Sequence, residues 1–423
     1  MIKSFLMSSV LLGFVTSSFA LEQITPNESF ISSKGRVVYT DSGSYFSWPG
    51  AGIEFEFEGD SIGFEFLERS SYLALDIDVD TSIVIKAEEG IRTQYFGGFG
   101  PGKHTAFFRR RSEDTGPGAF VKSIFVGDTT TLAKTTLQDR KLLVIGDSFG
   151  VGYGNLSETQ SCTGAEIGER TDSQKSYATL LQDSAKTEVS SITYSGLGMV
   201  RNYAGNSVGT NASTYFLRDI IGDFNSEHDF SNDSTDLIII ELGTNDFSTT
   251  LKAGEQWSDI YDLWNDWATT AHQMIDTLRV LQGKAVPVLL ITPMSASNPQ
   301  RHIIKKVVEE QNKAGYGNVH YMELGSIKFA GCQWHPTVSE HEQWAGEINS
   351  VLDSLKLWDS VPLAIDKKVI HDLIVPVSER AEFLKLRTDA LFKFTGSVNG
   401  AQVKNQNQGS GAFVSEGEIE LSY

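Results

Sequence analysis

The hydrophobic period of the chain changes near residue 140, and that change calls for two domains of different class. Between residues 30 and 130, apolar and polar side chains alternate in short runs: RVVY, GIEFEFEG, SIGFEFLE, YLALDIDVD, SIVIKA, HTAFFRR and VKSIFVG. Gly, Asp and Ser separate them. A period of two puts alternate residues such as Ile53, Phe55 and Phe57 on one face, which predicts an antiparallel β-sandwich or jelly roll over residues 21–132. After a linker around TTTLAKTTLQDR the runs become continuous and apolar: KLLVIGD, TEVSSITYSG, TDLIIIELGTND, AVPVLLITP and GNVHYMEL, with helical stretches between them. That is the pattern of a parallel sheet covered on both faces. Five such strands predict a doubly wound, flavodoxin-like α/β domain over residues 138–360. A helix follows the fifth strand, with Ser339 and Glu342 as its capping box and Trp344, Ile348, Leu352 and Leu355 along one face. Residues 365–423 return to strand-like pieces, LFKFTGSV and GAFVSEGEIELSY, around a polar NQNQGSG turn, and form a β-rich extension without an assigned role.

The first 20 residues stand apart from both domains. Met1, Ile2 and Lys3 supply a positive end, Phe5 to Val15 an apolar stretch and Ser18-Phe19-Ala20 a small-x-small cleavage site, the parts of a secretory signal peptide. A secreted or periplasmic location is therefore expected, with no membrane association after cleavage. The formal charge of −19 becomes about −20 without Lys3, which argues against nucleic acid or an anionic membrane face and suits a neutral partner. The two cysteines, Cys162 and Cys332, would meet an oxidising compartment, so one disulfide between them is expected, with two buried thiols as the alternative. Nothing in the spacing suggests a metal site. His335 and His341 are six apart and fall on different faces of a helix, and neither HExxH nor paired CxxC occurs.

In open α/β sheets the ligand site lies beyond the carboxyl ends of the strands. Here the first run ends in Gly146-Asp147-Ser148, the second in Ser195-Gly196-Leu197-Gly198 and the third in Gly243-Thr244-Asn245-Asp246, and Trp334-His335-Pro336-Thr337 follows the fifth. A serine hydroxyl is a poor nucleophile until an imidazole takes its proton, so Ser148 pairs chemically with His335. Attack on an ester creates an oxyanion, for which the N–H of Ser148, an N–H at Gly196 or Gly198 and the Asn245 amide are candidate donors. Each motif alone has a plainer reading. A strand-ending Asp-Ser is commonly a helix cap, GTND is commonly a turn, and a histidine before proline is commonly a loop residue. Their convergence on one rim favours an acyl-transfer site.

GDS, the glycine turn, GTND and HP, in that order on a five-stranded domain, resemble the four blocks of the SGNH (GDSL) hydrolases. The preceding sandwich, with GKHTAFFRRRSEDTG, then VIGDSFGVGYGN, SGLGMVRNY and GCQWHP, is similar to carbohydrate esterase family two, the acetylxylan esterase type. The likeness covers about residues 30–358. It implies Ser148 as nucleophile, His335 as base, and Ser148, Gly198 or Gly196, and Asn245 as oxyanion hole. It also implies Trp334 as an aromatic wall for a sugar ring, no cofactor, and an acetylated polysaccharide such as xylan or glucomannan as substrate. The chain departs from the pattern at one place. Where SGNH enzymes put an acid two or three residues before the histidine, Gln333 and Cys332 stand. A neutral acceptor must then hold the His335 Nδ1–H, either the Gln333 side chain or, as some family-two members manage, a backbone carbonyl, which is the favoured choice.

Other residues have plain readings beside functional ones. His341 is expected to be solvated in a first helical turn. Arg109, Arg110 and Arg111 either guide a substrate or carry outward charges on a strand. Tyr203 and Trp48 either stack on sugars or belong to the core. The leading function is a secreted esterase that removes O-acetyl groups from plant polysaccharide through a serine acyl-enzyme. A GDSL lipase or thioesterase, and a carbohydrate-binding protein on a decayed esterase site, are the alternatives.

Overall fold

The computed structural model describes residues 21–359, except 79, 114–115, 117, 232–234, 283–284, 294 and 315–317, together with a hairpin of Gln402–Gln406 and Ser410–Val414. The hairpin flanks the expected NQNQGSG turn. Residues 1–20, read as a signal peptide, and the LFKFTGSV piece lie outside the described residues.

The alternating region forms nine antiparallel strands: β1 (Glu22–Ile24), β2 (Ser32–Lys34), β3 (Val38–Thr40), β4 (Gly43–Phe46), β5 (Gly52–Glu58), β6 (Ser61–Ile77), β7 (Thr81–Gly97), β8 (Lys103–Arg110) and β9 (Ala119–Val126). Ile53, Phe55 and Phe57 are buried while Glu54 and Glu56 reach outward, as the period of two requires. The sheet runs β2-β5-β8-β6-β9-β4-β3, with β1 added on β9 and β7 on β6. Strand β6 makes the curvature. Residues 63–67 pair with β9 and residues 73–77 with β8, and the register slips between Leu67 and Tyr72. A bulge bends a strand, so one long strand serves two halves of a half-barrel and both close on the same phenylalanine-rich core.

The second region is a parallel sheet of β10 (Arg140–Gly146), β11 (Thr187–Thr193), β12 (Leu237–Glu241), β13 (Val288–Pro293) and β14 (Val319–Leu324), in the order β11-β10-β12-β13-β14. All five residues of β12 and all six of β13 are buried, which explains their unbroken apolar runs. Helices α6 (Ile260–Gln282) and α7 (Asn298–Lys313) pack on one face, and α3 (Tyr177–Ser184) and α8 (Val338–Ser354) on the other. Four short helices complete the chain order: α1 (Ser148–Val151), α2 (Gly164–Glu169), α4 (Ala212–Tyr215) and α5 (Thr244–Phe247). The reversal of strand order falls between β10 and β12, whose carboxyl ends therefore frame the crevice.

Several sequence expectations change here. The capping box of α8 is Thr337 with Glu340, two residues earlier than Ser339 and Glu342, because the Thr337 hydroxyl accepts the Glu340 N–H while Glu340 accepts the N–H of Thr337. His341 is fully buried, since it shares a stripe with Trp344, Ile348 and Leu352, and its Nδ1 accepts the Tyr177 N–H at 3.1 Å. Leu355 lies beyond the end of that helix and is exposed. Arg109, Arg110 and Arg111 are all buried: Arg109 pairs with Asp76 and Asp172, Arg110 with Glu68, and Arg111 donates to the Glu169 carbonyl. Arg109 and Arg111 reach out of the sandwich to Asp172 and Glu169 of the second domain, so what would be solvent in an isolated sheet is here an interface, whereas Arg110 is held within the half-barrel by Glu68 and Ser71. Trp48 belongs to that interface as well, buried with its indole N–H on the Arg218 carbonyl.

Candidate active site

Strand β10 is followed by Asp147, which caps α1. Its Oδ1 accepts the Phe149 N–H at 3.0 Å, and Ser148 becomes the first residue of the helix. A cap makes the chain turn sharply at the sheet's edge, which is why a buried strand ends on a serine at the rim. The Ser148 hydroxyl lies 2.8 Å from His335 Nε2.

His335 is held from a loop without a carboxylate. Gln333 and Trp334 both take left-handed conformations, φ 49° and 60°, which fold the loop so that its carbonyls face the ring. Nδ1 sits 3.0 Å from both the Cys332 and the Gln333 carbonyl oxygens. A carbonyl can only accept, so Nδ1 carries the proton and Nε2 is left bare to accept the Ser148 O–H. The Gln333 side chain turns elsewhere and accepts the Tyr153 O–H at 3.2 Å. Of the two orienters considered, the backbone carbonyl is the one in place. The rings of Tyr153 and Phe149 stand 4.4 and 5.5 Å from the imidazole, and this burial pushes its pKa down to about 4.

The disulfide joins Cys162 to Cys332 and so anchors the residue whose carbonyl orients His335. Gly154 makes room for it. With φ 61° it turns beneath Cys332, where a Cβ would collide with the cysteine side chain.

The loop after β11 carries a row of N–H groups, nearly all of them spoken for. Ser195 donates to Glu113, Leu197 to the Tyr194 carbonyl, Gly198 to Asn202 and Met199, Val200 and Arg201 to Asp246. Among these described residues Gly196, at φ 77°, keeps its N–H without a partner, as does Ser148. The choice left open between the two glycines therefore leans to Gly196. Asn245, in α5, donates from Nδ2 to Asp147 Oδ2 and to the Leu197 carbonyl, each at 2.9 Å, so an oxyanion would have to share one of those hydrogens.

Under this rim lies a group of buried acids that the sequence reading did not single out. Burial raises the Asp147 carboxyl to about 7 and Asp246 to about 6, and lifts Glu241 well above the usual range. Asp147 and Glu241 are neighbours in this group, and burial favours the protonated form of both carboxyls. One clue was available: Glu241 closes an otherwise apolar strand directly opposite Gly146. Tyr153 was also missed, as a plain aromatic in a glycine-rich loop. Trp334 and Tyr203 are 67% and 51% exposed, on the loops that carry His335 and follow Gly196, so both are accessible at the crevice.

The sequence model for the carbohydrate esterase 2 N-terminal domain matches residues 33–135, and that for GDSL-like lipase/acylhydrolase matches residues 142–348. An acetylxylan esterase / glucomannan deacetylase of Cellvibrio japonicus is 26% identical over 74% of this chain and 86% of its own length. The structure of a family two carbohydrate esterase from Cellvibrio japonicus superposes with TM-score 0.70 at 20% identity, over 81% of this chain and 99% of that one. A family two carbohydrate esterase from Clostridium thermocellum, solved in complex with cellohexaose, superposes with TM-score 0.67 at 23% identity, over 78% and 99%. With both domain types matched in this order, the chain belongs to the GDSL (SGNH) hydrolases of the carbohydrate esterase family two type and is a carboxylic ester hydrolase.

Proposed function

We propose that the protein is exported and removes O-acetyl groups from a plant polysaccharide of the xylan or glucomannan type through a serine acyl-enzyme. The observation that carries this reading is the Ser148–His335 contact of 2.8 Å with the opposite ring nitrogen held by two carbonyls. His335 Nε2 takes the Ser148 proton as Oγ attacks the acetyl carbonyl, and the Ser148 and Gly196 N–H groups, with the Asn245 amide sharing one of its hydrogens, meet the oxygen that becomes negative. His335 then gives that proton to the departing sugar hydroxyl. Water enters and attacks the acyl carbonyl as it loses a proton to the same nitrogen, which passes that proton to Ser148 Oγ as acetate leaves. Trp334 and Tyr203 offer exposed ring faces to a sugar, and the acidic chain does not repel a neutral polymer. The relative's name, acetylxylan esterase / glucomannan deacetylase, and the neighbour's cellohexaose favour a β-linked plant glycan. Acetate release from acetylated xylan, acetylated glucomannan and a long-chain acyl ester, assayed side by side, tests the proposal. Preference for the long-chain ester would favour a lipase instead, and an inert protein that binds glycan would favour a decayed site.

A further inference from the structure

Glu113 is a side chain of the half-barrel domain that reaches the loop after β11 of the other domain. It follows β8, in the loop that returns to β9, and its Oε2 accepts the Ser195 N–H at 2.8 Å. Among the described residues it makes no ion pair, although three arginines precede it and are committed elsewhere. Its carboxylate also acts electrostatically on Tyr153, whose tilted ring stands 4.4 Å from that of His335.

We propose that Glu113 is a positioning residue for the oxyanion donor: it anchors the peptide that precedes Gly196 and so aims the Gly196 N–H. The inference rests on the reading of Ser148 and Gly196 as esterase machinery. A glycine at positive φ has little stiffness of its own, so its direction is set by what holds the neighbouring peptides. On the far side the Gly196 carbonyl accepts the Tyr203 N–H at 2.9 Å, and the Leu197 N–H closes back on Tyr194. On the near side the anchor is Glu113, and it comes from another domain. Burial raises the proton affinity of its carboxyl, with the hydrogen bond from Ser195 acting in the opposite direction. Docking of the half-barrel thus completes the esterase site instead of merely flanking it.

The test compares Glu113→Ala, Glu113→Gln and Glu113→Asp with wild type on p-nitrophenyl acetate. Misplacing a donor by about an ångström costs up to roughly 10² in rate, so Glu113→Ala should lower kcat about 10- to 100-fold with KM within about threefold. A glutamine oxygen still accepts the Ser195 N–H, so Glu113→Gln should stay within about threefold of wild type. Aspartate is one methylene short and should resemble alanine. If Glu113→Ala lowers the Tm, the Gln and Asp variants decide, because both keep a polar group of nearly the same kind in the loop. Turnover of Glu113→Ala within threefold of wild type, a loss confined to KM, or a Gln variant as slow as Ala would each overturn the inference. Failure of the underlying reading looks different: Ser148→Ala would then retain the wild-type rate.

Discussion

Replacing Gln333 by alanine should barely touch catalysis, although the residue stands at a position where related enzymes carry an acid. The structure supplies the magnitude. The Gln333 side chain meets Tyr153 at 3.2 Å and makes no contact with His335 Nδ1, which is served by two main-chain oxygens at 3.0 Å that alanine also possesses. Loss of one neutral hydrogen bond of this kind is worth about 0.5–1.5 kcal/mol, or between about twofold and tenfold in kcat/KM. Loss of a true triad acid costs about 10⁴, because the wrong imidazole tautomer then faces the nucleophile. Alanine keeps the same Cβ in the same left-handed conformation, so the backbone is not differently strained. The assay is kcat/KM on p-nitrophenyl acetate across pH, with Tm measured alongside. The wild-type acid limb should lie near pH 4, since His335 must be neutral to act and burial holds it at about 4, and Gln333→Ala should leave it there. Gln333→Asp brings an anion to the ring, favours the imidazolium and should move that limb upward. A fall of three or more decades in Gln333→Ala at unchanged Tm would refute the reasoning and make the side chain the true orienter.

Ser148→Ala should abolish p-nitrophenyl acetate hydrolysis and leave the Tm nearly unchanged, since only the attacking oxygen is lost. Asn245→Ala should lower kcat by roughly 10² to 10³ with KM little altered, and a change in KM alone would mark it as a ground-state contact. Denatured protein alkylated without reductant should carry no modified thiols, and loss of the bridge by Cys162→Ser should cost about 2–5 kcal/mol and slow turnover, because Cys332 loses its tether. His341 is buried with its pKa held near 3, below its unfolded value of about 6.5. Between those limits the unfolded chain binds more protons, so this contribution is complete above pH 6.5 and is lost as pH falls toward 3. Asp147, raised to about 7, acts in the opposite sense, so the comparison that isolates His341 is Tm against pH for wild type and His341→Gln, with the flatter acid side expected in the variant.

The two domains, their strand types and four blocks on one rim were legible because each depends on neighbours in sequence. Hydrophobic period selects strand and sheet class, and the residue that ends a parallel strand must lie at the carboxyl edge of the sheet. Ser148, a glycine at 196 or 198, Asn245 and His335 could therefore be placed together before any fold was seen, and a bridge between Cys162 and Cys332 could be expected. The orientation of His335 could not be read that way. Every residue has a carbonyl, and which one faces Nδ1 is decided by two consecutive left-handed residues and a disulfide that closes from 170 residues away. The same holds for Arg109, Arg110, Arg111 and Glu113. On the strand pattern they are surface charges; the second domain, pressed against that surface, gives Arg109 and Arg111 the partner Asp172 and makes Glu113 a contact of the glycine loop, while Arg110 finds Glu68 across its own domain. Periodicity records which face of a strand is outward, but what lies outward is set by contacts between segments far apart in the chain.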